Sequence, residues 1–76
     1  MSVYTLDLSA ATCEQLMAAL EELAENWTKE KNLAHEQAEG IIYHEIREKM
    51  RDLGCGDHEI LDVDKNGRYS VQPVAP

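Results

Sequence analysis

Leu16, Leu20, Leu23 and Trp27 recur at spacings of 4, 3 and 4 residues, and at about 100° per residue the four side chains fall within about 40° of one line. A row of that kind belongs on a helix with one buried face. Met17 and Ala24 widen the row, while Glu14, Glu21 and Glu25 align on the opposite side with Glu22 beside them. The helix is therefore expected to turn an acidic face to solvent. Thr12 followed by Gln15 fits a capping box, and Glu14 falls in the first turn, where the helix dipole favours an anion.

No glycine or proline interrupts the chain between Ser9 and Gly40. One continuous helix over 12–53 would be about 60 Å long, could not fold on itself, and would require a second copy of the chain. The preferred reading breaks it in two. The segment TKEKN at 28–32 interrupts the apolar period, and Asn32 offers a cap for a second helix over 33–53. Ala38, Ile42, Ile46, Met50 and Leu53 share one side of that helix with His35, while Arg47, Arg51 and His44 lie opposite, and Gly54 suits its C-terminal cap.

Tyr4, Leu6 and Leu8 alternate with Val3, Thr5 and Asp7, a period of two that predicts a short strand over 2–8. Residues 59–72 read as a hairpin. Pairing Asp64 with Arg68 around Lys65, Asn66 and Gly67 gives a type I turn with Gly67 in the left-handed position of a G1 bulge. The same register sets Val63 opposite Tyr69 and Leu61 opposite Val71 on one face, with Asp62 and Ser70 on the other. The expected fold is α+β in the order β-α-α-β-β: two antiparallel helices packed on a small antiparallel sheet of three strands. Residues 1–72 form a single small domain, and 73–76, with Pro73 and Pro76, a frayed tail.

A chain of 76 residues holds one small core, which excludes a multidomain enzyme. Fifteen Asp and Glu against seven Lys and Arg give a formal charge of -8, which repels phosphate backbones and anionic lipid. The densest basic run, Arg47, Lys49 and Arg51, is interleaved with Glu48 and Asp52, and its field cancels within a Debye length of about 8 Å. Direct binding to nucleic acid or membrane is not expected. The start MSVYTLDLSA lacks a cationic, then apolar, leader pattern, and no segment reaches the roughly 18 apolar residues of a membrane span. A soluble, cytoplasmic chain is expected, with Cys13 and Cys55 as reduced thiols, since small secreted domains usually carry more cysteines.

Asp62, Asp64, Asn66 and Gly67, followed by Tyr69 and Ser70, resemble the first nine positions of an EF-hand calcium loop. The resemblance stops at Pro73, where the bidentate glutamate should stand, and the same residues are ordinary hairpin-turn chemistry. Cys55 and His58 form a C-x-x-H half-site that Cys13, His35 or His44 would have to complete for zinc. Neither pattern suffices to assign a metal, and no cofactor is expected. Nucleophile elbows, phosphate loops and H-E-x-x-H are missing from the sequence, so the chain reads as a non-enzyme.

What remains is the acidic helix. Over 12–39 there are seven glutamates against Lys29 and Lys31, which holds most of the net charge. Carboxylates along a rigid helix can meet the Arg and Lys side chains of a groove that otherwise grips phosphates. Glu14, Glu21, Glu22 and Glu25 are the expected contacts of a regulator or stoichiometric inhibitor that binds a larger protein with a basic surface, as a nucleic-acid mimic. Small acidic single-domain proteins are frequent among phage and mobile-element inhibitors, anti-CRISPR proteins included, and that class is expected by association alone. The alternatives are a calcium- or zinc-binding domain, and a structural homodimer whose acidic face is only solvated.

Overall fold

Thr12 opens the first helix through the expected exchange of hydrogen bonds: its hydroxyl oxygen accepts from the Gln15 N–H at 3.2 Å, and the Gln15 Oε1 accepts from the Thr12 N–H at 2.9 Å. The computed structural model describes residues 3–27, 38–61 and 63–74. Helix α1 runs Cys13–Asn26, and Trp27 behind it is extended, at φ -83° and ψ 133°. That extended residue excludes a single helix through 12–53. Helix α2 runs Ala38–Leu53 and ends in a Schellman closure, with the Gly54 N–H donating to the Arg51 carbonyl at 3.1 Å and the Cys55 N–H to that of Met50 at 2.9 Å. Gly54 supplies the left-handed φ of +75° that this closure needs. The expected connection at 28–32, the Asn32 cap and His35 lie outside the described residues.

Two contacts fix the helix pair as antiparallel. Trp27, just past the end of α1, packs edge-on against Tyr43 near the start of α2 at 5.2 Å, and Cys13 at the start of α1 is disulfide-bonded to Cys55 just past the end of α2, with Cα atoms 5.7 Å apart. The bond corrects the expectation of two reduced thiols. That pairing depends on the helices lying side by side in opposite directions, which a count of cysteines does not show.

Strands β1 (His58–Leu61) and β2 (Ser70–Pro73) form an antiparallel ladder. The expected loop is present: the Asp64 N–H donates to the Arg68 carbonyl and the Gly67 N–H to that of Asp64, both at 2.9 Å, with Gly67 at φ +76°. Beyond the loop the register differs. Ile60 pairs with Val71 and Leu61 with Ser70, instead of Leu61 with Val71, because the first arm spends three steps from Leu61 to Asp64 where the second spends two from Arg68 to Ser70. One extra residue in an arm reverses which side chains face the core. Ile60 is accordingly 6% exposed and Leu61 42%. The ladder also reaches past residue 72, with Pro73 opposite His58 and the Val74 N–H donating to the Asp57 carbonyl at 2.9 Å.

The expected strand over 2–8 is not formed among the described residues. Val3–Thr5 and Leu8–Ala10 are short 3-10 turns, and Asp7 holds the second by accepting from the Ser9 N–H at 3.0 Å and the Ser9 hydroxyl at 2.7 Å. Local acceptors of this kind compete directly with ladder pairing. The described elements therefore run helix, helix, strand, strand with a two-stranded sheet, which keeps the α+β class and corrects the order β-α-α-β-β.

The core sits between the helices and the sheet. Leu16, Leu20, Leu23, Ile46 and Met50 are fully buried, ringed by Val3, Ala11, Ala19, Ala24, Trp27 and Ile60. The α1 row is buried as its spacing predicts. On α2, Ile46 and Met50 are inside and Ile42 half-buried, but Leu53 in the last turn is exposed. Among the described residues no helix is long and apolar enough to cross a membrane.

Candidate functional site

Burying Leu16, Leu20 and Leu23 completely fixes the rotation of α1, and the carboxylates a half-turn away follow. Glu14, Glu21 and Glu25 are exposed and Glu22 is half-buried. At 1.5 Å of rise per residue, Glu14 and Glu25 stand about 16 Å apart along the axis. Among the described residues none of the four is held in a salt bridge. Burial and then its hydrogen bond to Glu39 raise the Tyr4 hydroxyl above its ordinary pKa, with the charges of Glu39 and Glu22 acting in the same direction. Tyr4 thus joins the flank of α1 to the first turn of α2, where Glu39 stands.

Behind this face lies a charged cluster that the sequence reading placed in solvent. Arg47, expected opposite the α2 core row, has a side chain only 14% exposed. Its fork grips Asp57, with Nε donating to Oδ1 at 3.2 Å and Nη2 to Oδ1 at 2.9 Å and Oδ2 at 3.1 Å. Its Nη1 donates to the Tyr43 hydroxyl at 3.1 Å, and that hydroxyl also accepts the Ile60 N–H at 3.2 Å. Arg51 approaches the same carboxylate at 3.7 Å, and Glu59 lies 4.0 Å from Arg47. The hydrogen bonds from Arg47 hold the Asp57 carboxyl below the usual carboxylate range, against its desolvation and helped by the charges of Arg47 and Arg51. Arg47 is thereby occupied internally, while Arg51 meets the same carboxylate from the exposed side. The only sequence signal for this was an aspartate placed directly after the glycine-flanked end of the helix.

The metal readings fare differently from one another. With its sulfur bonded to Cys13, Cys55 has no thiolate to give, which overturns the Cys55 and His58 half-site, and the His58 Nδ1 lies 3.4 Å from the Gly56 carbonyl. Asp64 caps its own turn, its Oδ1 accepting from the Asn66 N–H at 2.8 Å and the Arg68 N–H at 3.0 Å. Asn66 is exposed at the tip, and Asp62 lies outside the described residues. Among the described residues no three His, Cys, Asp or Glu side chains are grouped to hold a metal ion. His44 is exposed, as expected, with its ring against Tyr43 at 5.4 Å.

Glu25, Asp64, Arg68 and Tyr69 line an open cleft of about 480 Å³ between the end of α1 and the neck of the hairpin. Among the described residues its lining carries charge and an aromatic ring but no serine, cysteine or histidine. No protein family, curated protein or solved structure matches this chain.

Proposed function

We propose that the chain is a small acidic interaction module, a regulator or stoichiometric inhibitor, that docks the carboxylate face of α1 on a basic groove of a larger protein, of the kind that otherwise holds nucleic acid. One observation carries the reading: Glu14, Glu21 and Glu25 are exposed on a helix whose opposite face is wholly buried. A partner then meets charges whose backbone is already ordered, and association loses less conformational entropy than with a flexible acidic segment. Arg47 and Arg51 are turned onto Asp57, which leaves less positive charge on α2 to oppose docking. Direct nucleic-acid or membrane contact is not part of the function, which needs no chemistry and no cofactor. The class of phage and mobile-element inhibitors, anti-CRISPR proteins included, enters by association, and such a partner would place the chain in the cytoplasm. The extended Trp27 removes only the version of the homodimer alternative that needs an unbroken helix.

The test is a titration of wild type and a Glu21→Gln, Glu25→Gln double variant against a partner captured from the native host, at two ionic strengths. Both residues point away from the core, so the fold is retained. Each carboxylate paired in a partly desolvated contact contributes about 1.5 to 3 kcal/mol, and the double change weakens binding at least about tenfold. Salt weakens the wild type more steeply than the variant. Equal affinities and equal salt slopes would remove α1 as the docking face.

A further inference from the structure

The Cys13–Cys55 bond joins the first residue of α1 to the corner between α2 and β1, across a sequence separation of 42. Each side of the bond is also closed without sulfur. The start of α1 keeps the Thr12 and Gln15 capping box, and the corner keeps the Schellman closure on Met50 and Arg51 and the fork of Arg47 on Asp57. What the bond adds is the covalent tie between the two. Closing a loop of this length removes much of the freedom of the unfolded chain, and in a domain with so small a core that constraint is a large share of the net stability.

We propose that this disulfide is a reducible latch, so that the stability of the fold is set by the thiol–disulfide balance of its surroundings. Cys13 is exposed while Cys55 is half-buried between Gly54 and Gly56, which makes the Cys13 sulfur the point of attack for a dithiol reductant. The reductant thiolate bonds to Cys13 Sγ, the Cys13–Cys55 bond breaks, and Cys55 leaves as a thiolate that takes up a proton. The second thiol of the reductant then attacks its own sulfur in the mixed disulfide and releases Cys13. Two electrons pass to the protein and the reductant becomes a disulfide. In the second step Cys13 is the leaving group at a helix N-terminus, where the peptide dipoles stabilise a thiolate and so speed its departure. The inference does not rest on the docking function, although docking in a reducing cytoplasm would engage the chain with the latch open. It means that one chain is robust in oxidising surroundings and marginal in reducing ones.

Thermal melts of the intact protein with and without dithiothreitol test this, with free thiols counted beforehand at 25 °C. Two thiols are expected to appear under native conditions, and iodoacetamide added during reduction alkylates Cys55, the thiol released first, while Cys13 is still bonded to the reductant. The melting temperature then falls by roughly 15 to 30 °C and recovers on reoxidation. A Cys13→Ser, Cys55→Ser variant melts with the reduced protein and ignores the reductant. A fall of less than about 10 °C, or a bond that stays closed until the protein unfolds, would overturn the proposal.

Discussion

Gly67 and Leu20 show how differently single residues hold this fold. A β-carbon at Gly67 would meet no atom within 4 Å, yet the backbone there sits at φ +76°, so Gly67→Ala meets conformational strain and no clash. The expected cost is about 1 to 2 kcal/mol by urea denaturation, with Lys65→Ala in the same loop close to neutral. Leu20 is fully buried, and Leu20→Ala should cost about 2 to 5 kcal/mol, enough to unfold much of the protein at 37 °C. Both roles were legible because each is local: D-K-N-G announces a left-handed glycine, and the spacing of leucines announces an inner face. Arg47 was not legible. Its partner Asp57 lies beyond the end of its own helix, and only the closure at Gly54 swings that carboxylate back within 2.9 Å.

At the scale of elements, the helix defined by a cap and a row of leucines was read correctly, whereas the strands defined by alternation were not. The Thr12 box starts α1 where the sequence placed it, and Thr12→Ala should remove about 1 kcal/mol, seen as a lower urea midpoint at unchanged slope. Alternation at the N-terminus was overruled by Asp7, whose bonds to Ser9 stabilise a turn. In the hairpin the turn was right and the strands one residue off, since the extra residue of the first arm falls outside the loop chemistry that predicts register. Ile60 occupies the inward position assigned to Leu61. Among the α1 candidates, the exposure of Glu14, Glu21 and Glu25 followed from the leucine row alone. The disulfide and the tie between Tyr4 and Glu39 need the tertiary arrangement and leave no mark on local pattern.

At the scale of the whole molecule, a formal charge of -8 is balanced on a small core, and acid should act through particular carboxylates as well as through net charge. The Asp57 carboxyl is held below its ordinary pKa by Arg47, so the unfolded chain binds a proton there before the folded one does. Its contribution is present above about pH 3.9 and is lost as pH falls through the lower folded value. Asp57→Asn should therefore lower stability at pH 7 and flatten the decline on acidification, measured as urea midpoints from pH 6 to pH 2.5; parallel decline in both proteins would remove Asp57 from the account. Trp27, the single tryptophan of the chain, touches Tyr43 of α2 at 5.2 Å and Tyr69 of the hairpin at 5.9 Å, each edge-on, while itself closing α1. The three pieces of the fold meet at one indole. The protein thus carries its own optical gauge: any event that parts a helix from its partner, or lifts the hairpin away, admits water to that ring and shifts its emission, with no label added.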